Sequence, residues 1–281
     1  MEIFLEPFAF EFFRNGTWAA VLAGALCGMV GVYIVLRGMS YIGHGLSHAI
    51  FGGAVVSFVL QWNFYLGAGL WGFLAALLIN QTVRRTKIPA DAAIGVITTA
   101  SFAVGVALIS RYRGFTRSFD AALFGNILGV TSQDVWIVAG VGAATAAAIF
   151  LLYKQLLFTT FDPEVAQVYG VRTEWIDTIF ALILASVLIV SMQILGVTLI
   201  AAALVTPAIT ARLLTDSFDR MILLSTAIGG LTGFAGMYLS FYVDVASGAT
   251  IVLLQAAVFV AVLGVMALRH RVGERLVAID V

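Results

Sequence analysis

Apolar runs of roughly twenty residues follow one another along almost the whole chain, parted only by short polar breaks, and they leave little choice of fold. A helix must be about that long to cross a bilayer, and within lipid its backbone has to satisfy its own hydrogen bonds. Nine such runs are present, at residues 17–36, 42–60, 64–83, 92–110, 135–153, 176–195, 197–214, 221–241 and 247–268. Of the 281 residues, 62% are hydrophobic and only 11% charged, too few charges to cover a soluble domain of this size. The expectation is an all-α integral membrane protein, a polytopic bundle of eight or nine transmembrane helices forming one domain.

Basic residues set the sidedness. Arg37, the group Arg84, Arg85 and Lys87, then Lys154, Arg172, Arg212 and Arg220 fall on one side, as does the tail with Arg269, His270 and Arg271. The bias of cytoplasmic loops towards Lys and Arg makes that side the cytoplasm. An N-terminal segment, 1–16, with Glu2, Glu6 and Glu11, then lies outside, and 269–281 is a cytoplasmic tail. Arg111, Arg113 and Arg117 run against the trend in an outer loop, where residues 119–129 are apolar enough to dip back towards the bilayer. Residues 1–13 carry no basic residue, unlike the charged start of a cleavable signal peptide. Equal numbers of basic and acidic residues, 15 of each, give no reason to expect a nucleic-acid partner. The lone cysteine, Cys27, excludes a disulfide within the chain and reads as a core thiol. Gly24 with Gly28, and Gly229 with Gly233, have the spacing that lets two helices approach closely.

The chemistry concentrates on two residues. His44 and His48 stand one helical turn apart inside an apolar run, so both rings leave the same face with Cα atoms about 6 Å apart. Ionisable side chains are costly there and usually face a cavity or a partner. The spacing suits two ligands of a metal site, and equally two neutral imidazoles bonded to carbonyls or to Ser40 and Ser47. Several enzymes are excluded by inventory. No His-Glu-x-x-His, Gly-x-Ser-x-Gly or Gly-x-x-x-x-Gly-Lys-Ser/Thr sequence occurs, and three histidines are too few for a membrane di-iron centre. The chain is therefore not expected to be an enzyme or to hydrolyse ATP itself. An ion-driven secondary transporter would need acids within the spans, whereas the acids here cluster at helix ends. Asp91 and Asp134 suit helix N-termini, and Asp244 a solvated loop. Gln193, Thr198 and Thr206 fit interhelical bonds or a pathway lining alike, and Pro207 should kink its helix. Between two spans, residues 162–173 read as a short cytoplasmic helix with Asp162 as N-cap, Pro163 at its first position and Gly170 near its end.

The stretch from Ile42 through Gly43, His44, Gly45, Leu46, Ser47, His48 and Ala49 to Gly52 and Gly53 resembles the second-helix motif of the metal-type ABC transporter permeases. The likeness continues through Phe161, Asp162, Pro163, Glu164 and Gly170. It resumes from Gly196 through Thr206 and Pro207 to Arg212 and Leu214, and ends from Tyr238 to Ser240 and from Ser247 to Val252. The resemblance implies the permease fold of an ABC importer for manganese, zinc or chelated iron, in a bacterial-type plasma membrane. It implies a second permease copy, a cytoplasmic ABC ATPase and an extracytoplasmic metal-binding protein as partners. No permanently bound cofactor is implied; the divalent metal, zinc or manganese, is cargo. Asp162, Pro163, Glu164 and Gly170 match the family's segment that docks on the ATPase, and His48 matches its histidine. Where the family usually has Asp, this chain has His44, so a two-fold pair would bring four imidazoles together. Nitrogen ligands suit zinc and carboxylates suit manganese, which tilts the expectation towards zinc.

Overall fold

In a computed structural model the chain is described over residues 6–112, 123–125 and 127–277, without the side chains of 128 and 269–277. Among the described residues eleven α-helices run in the order α1 (Glu11–Leu36), α2 (Ser40–Val59), α3 (Phe64–Arg85), α4 (Ala90–Arg111), α5 (Ser132–Leu151), α6 (Tyr153–Phe161), α7 (Pro163–Val168), α8 (Thr173–Leu195), α9 (Ile200–Leu214), α10 (Phe218–Val243) and α11 (Ser247–Val277). Eight are long and apolar enough to cross a membrane: α1 to α5, α8, α10 and the Ser247–Leu268 part of α11. The apolar run at 197–214 becomes α9, which has only 15 residues and contains Pro207. Its first residues are lost to a turn, because Gly196 takes φ +82°, a left-handed conformation that ends α8.

α1, α2 and α8 form the centre; 67%, 72% and 67% of their most apolar stretches are buried, against 11% for α11. Around them the core includes Phe13, Tyr33, Ile34, Leu46, Phe51, Leu184, Leu188 and Ile194. α10 packs along α1 more extensively than any other pair. A Cβ on Gly24 would come 2.3 Å from the Gly229 carbonyl oxygen, and one on Gly28 would come 2.3 Å from that of Ser225. The two backbones touch, as the glycine spacing predicts, and the Ser225 hydroxyl donates to the Gly28 carbonyl at 2.5 Å. Apolar side chains on the outer helices, such as Val96, Phe150 and Leu253, are exposed and would face lipid.

α1 starts at Glu11, earlier than the apolar run it contains, because Arg14 and Asn15 are carried on its first turns. The outer loop of 113–122, with Arg113 and Arg117, lies outside the described residues, as do 1–5 and 278–281. What is described of the loop turns inward. Ile127 and Val130 are buried, and the Leu123 carbonyl accepts from the Thr198 backbone and hydroxyl, at 3.3 and 2.8 Å. This segment thus braces the α8–α9 break, where a Cβ on Gly196 would meet the Leu123 oxygen at 2.4 Å.

Candidate functional site

His44 and His48 lie near the start of α2, half-buried, on the face that also carries Tyr41. α4 lies hard against α2 because Gly52 presents no side chain: a Cβ there would sit 2.3 Å from the Ser101 oxygen. That approach puts Phe102 edge-on to the His48 ring, centroids 4.9 Å apart. The two imidazoles meet at 84° with their Nε2 atoms 3.3 Å apart. Ser47 does not serve either ring: its hydroxyl donates to the carbonyls of His44, at 2.8 Å, and Val197, at 3.2 Å. The histidines therefore bond neither to serine nor to carbonyls, and His48 Nδ1 is buried without a hydrogen-bond partner among the described residues.

That spacing has chemical content. Two nitrogens each about 2.0–2.1 Å from one ion, at a tetrahedral angle, stand about 3.4 Å apart. The separation matches that bite, and it is also that of a hydrogen bond between the two rings, one neutral imidazole donating to the other. No cluster of three or more His, Cys, Asp or Glu exists among the described residues, so one copy offers an ion two ligands here. The unpartnered Nδ1 also means that nothing stiffens the ring from behind, an arrangement that favours loose holding over permanent retention.

At the end that carries the basic residues, α7 is built as the sequence predicts. The Asp162 carboxylate accepts from the Val165 N–H at 2.9 Å, and Pro163 occupies the first turn, where its missing N–H costs nothing. Gly170, at φ +81°, donates to the Gln167 carbonyl at 2.9 Å, and Val171 donates to Ala166 at 3.0 Å, the paired bonds of a Schellman cap. Glu164 is exposed, and so are Phe161, Val168 and Tyr169, the last two by 86% and 77%.

Beside α7 lies a group of residues that sequence reading missed. The Arg37 guanidinium, at the C-cap of α1, pairs with Asp177 of α8 at 2.9 Å and donates to Thr160 and Thr159 of α6 at 3.1 and 3.0 Å. It also stacks on Phe180, 4.5 Å from the ring centre. Burial pulls this guanidinium below its ordinary pKa, and the Asp177 carboxylate opposes that pull. Arg84 of α3 holds the other Asp177 oxygen at 2.8 Å. The available signal was an acid, Asp177, one residue inside an apolar run that is otherwise free of charge. At the opposite end, Tyr65 Oη lies 2.7 Å from both Asp134 and Gln193, which assigns Gln193 an interhelical bond. Asp134 closes a capping box with Thr131 at the start of α5.

Eight membrane-length helices with these features define a multi-pass protein of the bacterial plasma membrane. Residues 9–266 match the model of the ABC 3 transport family, and the chain belongs to that family, the metal-type ABC permeases. It is 37% identical over 256 residues to the manganese transport system membrane protein MntC of Halalkalibacterium halodurans, covering 91% of this chain and 88% of that one. To the chelated iron transport system membrane protein YfeC of Yersinia pestis it is 34% identical, over 96% of this chain and 94% of that one. Among solved structures it superposes on PsaBC from Streptococcus pneumoniae in complex with Fab with a TM-score of 0.84, at 37% identity, covering 92% of this chain and 94% of that one.

Proposed function

We propose that this permease subunit passes a first-row divalent metal ion, manganese or zinc, across the membrane in an ATP-driven importer, with His44 and His48 as transit ligands. The observation that carries the reading is the 3.3 Å separation of the two Nε2 atoms, close to the bite of one metal ion. Two ligands are too few to hold an ion alone, so the reading has a second permease copy complete the set with its own pair. The half-buried position of both histidines on the flank of the bundle supports this. Weak, incomplete holding suits a site that must release its cargo. The names of the relatives support a metal cargo. Bare imidazoles favour a free ion over a chelate, since a chelated metal has its ligand positions filled already.

Energy comes in this reading from a cytoplasmic ATPase seated on 162–170, and cargo from an extracytoplasmic metal-binding protein. Asp162, Pro163, Glu164 and Gly170 are assigned to coupling: the first two and the last shape α7, and Glu164 faces the partner. ATP-driven closure of the ATPase dimer would then move α7 and change which side of the bundle is open. Nitrogen ligands favour zinc; relatives named for manganese favour manganese. Competition uptake in a strain lacking other importers decides between them: the ion that suppresses uptake of the other at the lower concentration is the preferred cargo, and uptake that neither ion affects would refute the reading.

A further inference from the structure

The Arg37 group offers a physical link between the two ends of the proposed mechanism. Thr159 and Thr160 lie on the last turn of α6, directly before the Asp162 cap of α7. Arg37, whose guanidinium binds them, is the C-cap of α1, and α2 begins after the short turn of Gly38 and Met39, with His44 and His48 in its first half. On its other side Asp177 joins Arg37 to Arg84, which also donates to the Thr173 carbonyl at 3.4 Å. Thr173 in turn accepts from Gln167 of α7 at 2.9 Å. Both flanks of the 162–170 segment are thus tied to one ion-pair group.

A cavity of about 670 Å³ lies next to it, bounded by Ile42 and Leu46 of α2, Ile79 of α3, Leu184 of α8, and Pro163 and Gln167 of α7. The histidines are on the opposite face of α2 from Ile42 and Leu46, so this space is not where cargo would meet them. It separates α2 from α7 on this side; α8 packs on both, and Arg37, at the edge of the cavity, ties the end of α6 to α8 just before α2 begins.

We propose that Arg37 and Asp177 are positioning residues that carry movement of the 162–170 segment to α2 and its histidines. The proposal rests on the coupling role given above to 162–170. Packed atoms of α8 pass displacement between the two helices, and the Arg37–Asp177 pair adds a polar tie from the end of α6 to the turn that opens α2.

The test is metal uptake per ATP hydrolysed, measured with the permease, its ATPase and its binding protein reconstituted in vesicles. Three permeases are compared: the native chain, Arg37→Met and Glu164→Ala. Methionine fills the space of the arginine stem and forms none of its bonds. Arg37→Met should still assemble with the ATPase and support ATP hydrolysis, with uptake per ATP down by about tenfold, within the usual range of coupling between sites. A native ratio in Arg37→Met alongside a reduced one in Glu164→Ala would overturn the link and leave the coupling segment standing. Native ratios in both would remove the coupling segment and the link together. Should Arg37→Met fail to assemble, Arg37→Lys is read in the same way. It retains a cation for Asp177 but lacks the fork that also reaches Thr159 and Thr160, so a native ratio there overturns the proposal.

Discussion

Removing either member of the Arg37–Asp177 pair should not cost the same, and the asymmetry can be worked out from what each removal leaves behind. In Asp177→Asn the Arg37 side chain, only 9% exposed, remains charged with no anion beside it. An uncompensated buried charge of that kind costs about 3–5 kcal/mol. In Arg37→Met, Asp177 is 34% exposed and keeps Arg84 at 2.8 Å. The two threonines also keep partners, since Thr159 donates to the Gln155 carbonyl at 2.9 Å and Thr160 to that of Leu156 at 2.6 Å. Methionine retains the packing of the stem against Phe180, so the loss should be about 1 kcal/mol or less. The difference corresponds to a melting temperature about 5–10 °C lower for Asp177→Asn than for Arg37→Met. Thermal unfolding of the purified permease in detergent measures it. Equal losses, or a larger loss for Arg37→Met, would refute the view that Arg37 is the buried charge and Asp177 its compensation.

Three further outcomes follow from the geometry. Gly24→Ala should destabilise the bundle by about 1–3 kcal/mol, because its Cβ would lie 2.3 Å from the Gly229 oxygen and must force α1 from α10. Gly140→Ala, with nothing within 4 Å of its Cβ, should be neutral or stabilising by up to about 1 kcal/mol; unfolding midpoints of the two variants give the comparison. Gly170→Ala, at φ +81°, should cost about 1 kcal/mol locally and loosen the end of α7, seen as faster amide exchange in 163–170 than in the native chain.

Much of this fold was legible because apolar length is a direct consequence of bilayer thickness. Every one of the long helices falls on a run read from the sequence, and the Asp162, Pro163 and Gly170 signals located α7 because capping chemistry is local. The apolar count overshot at α9 for a reason that hydropathy does not carry. Val197 and Leu199 are apolar and Thr198 is tolerated in a membrane helix, yet this stretch turns, held by Leu123 and Ser47 from distant parts of the chain. Arg14 and Asn15 hid the true start of α1 in the same way, since polar residues are tolerated at the end of a membrane helix. Helix α6 was not foreseen, being too short and too mixed to give a periodic signal.

The candidate site was half legible. Spacing placed His44 and His48 on one face, and it left open whether they ligate a metal or bond as neutral imidazoles to carbonyls and to Ser40 and Ser47. Contacts from distant parts of the chain were not readable: Ser47 donates to the Val197 carbonyl, Phe102 packs on His48, and the two rings meet each other. Of the Arg37 group the sequence showed only Asp177 within an apolar run; its partners could not be read, because Arg37 and Arg84 lie 140 and 93 positions away and look like ordinary helix-end charges.

Contact of His44 and His48 with the cargo is tested by radiometal uptake into vesicles holding the reconstituted importer, with His44→Ala and His48→Ala compared against the native chain at matched amounts of assembled complex. Both substitutions should abolish ATP-dependent uptake while the complex remains folded. Native uptake rates in both variants would contradict that expectation and leave the pair as packing in the α2–α4 contact.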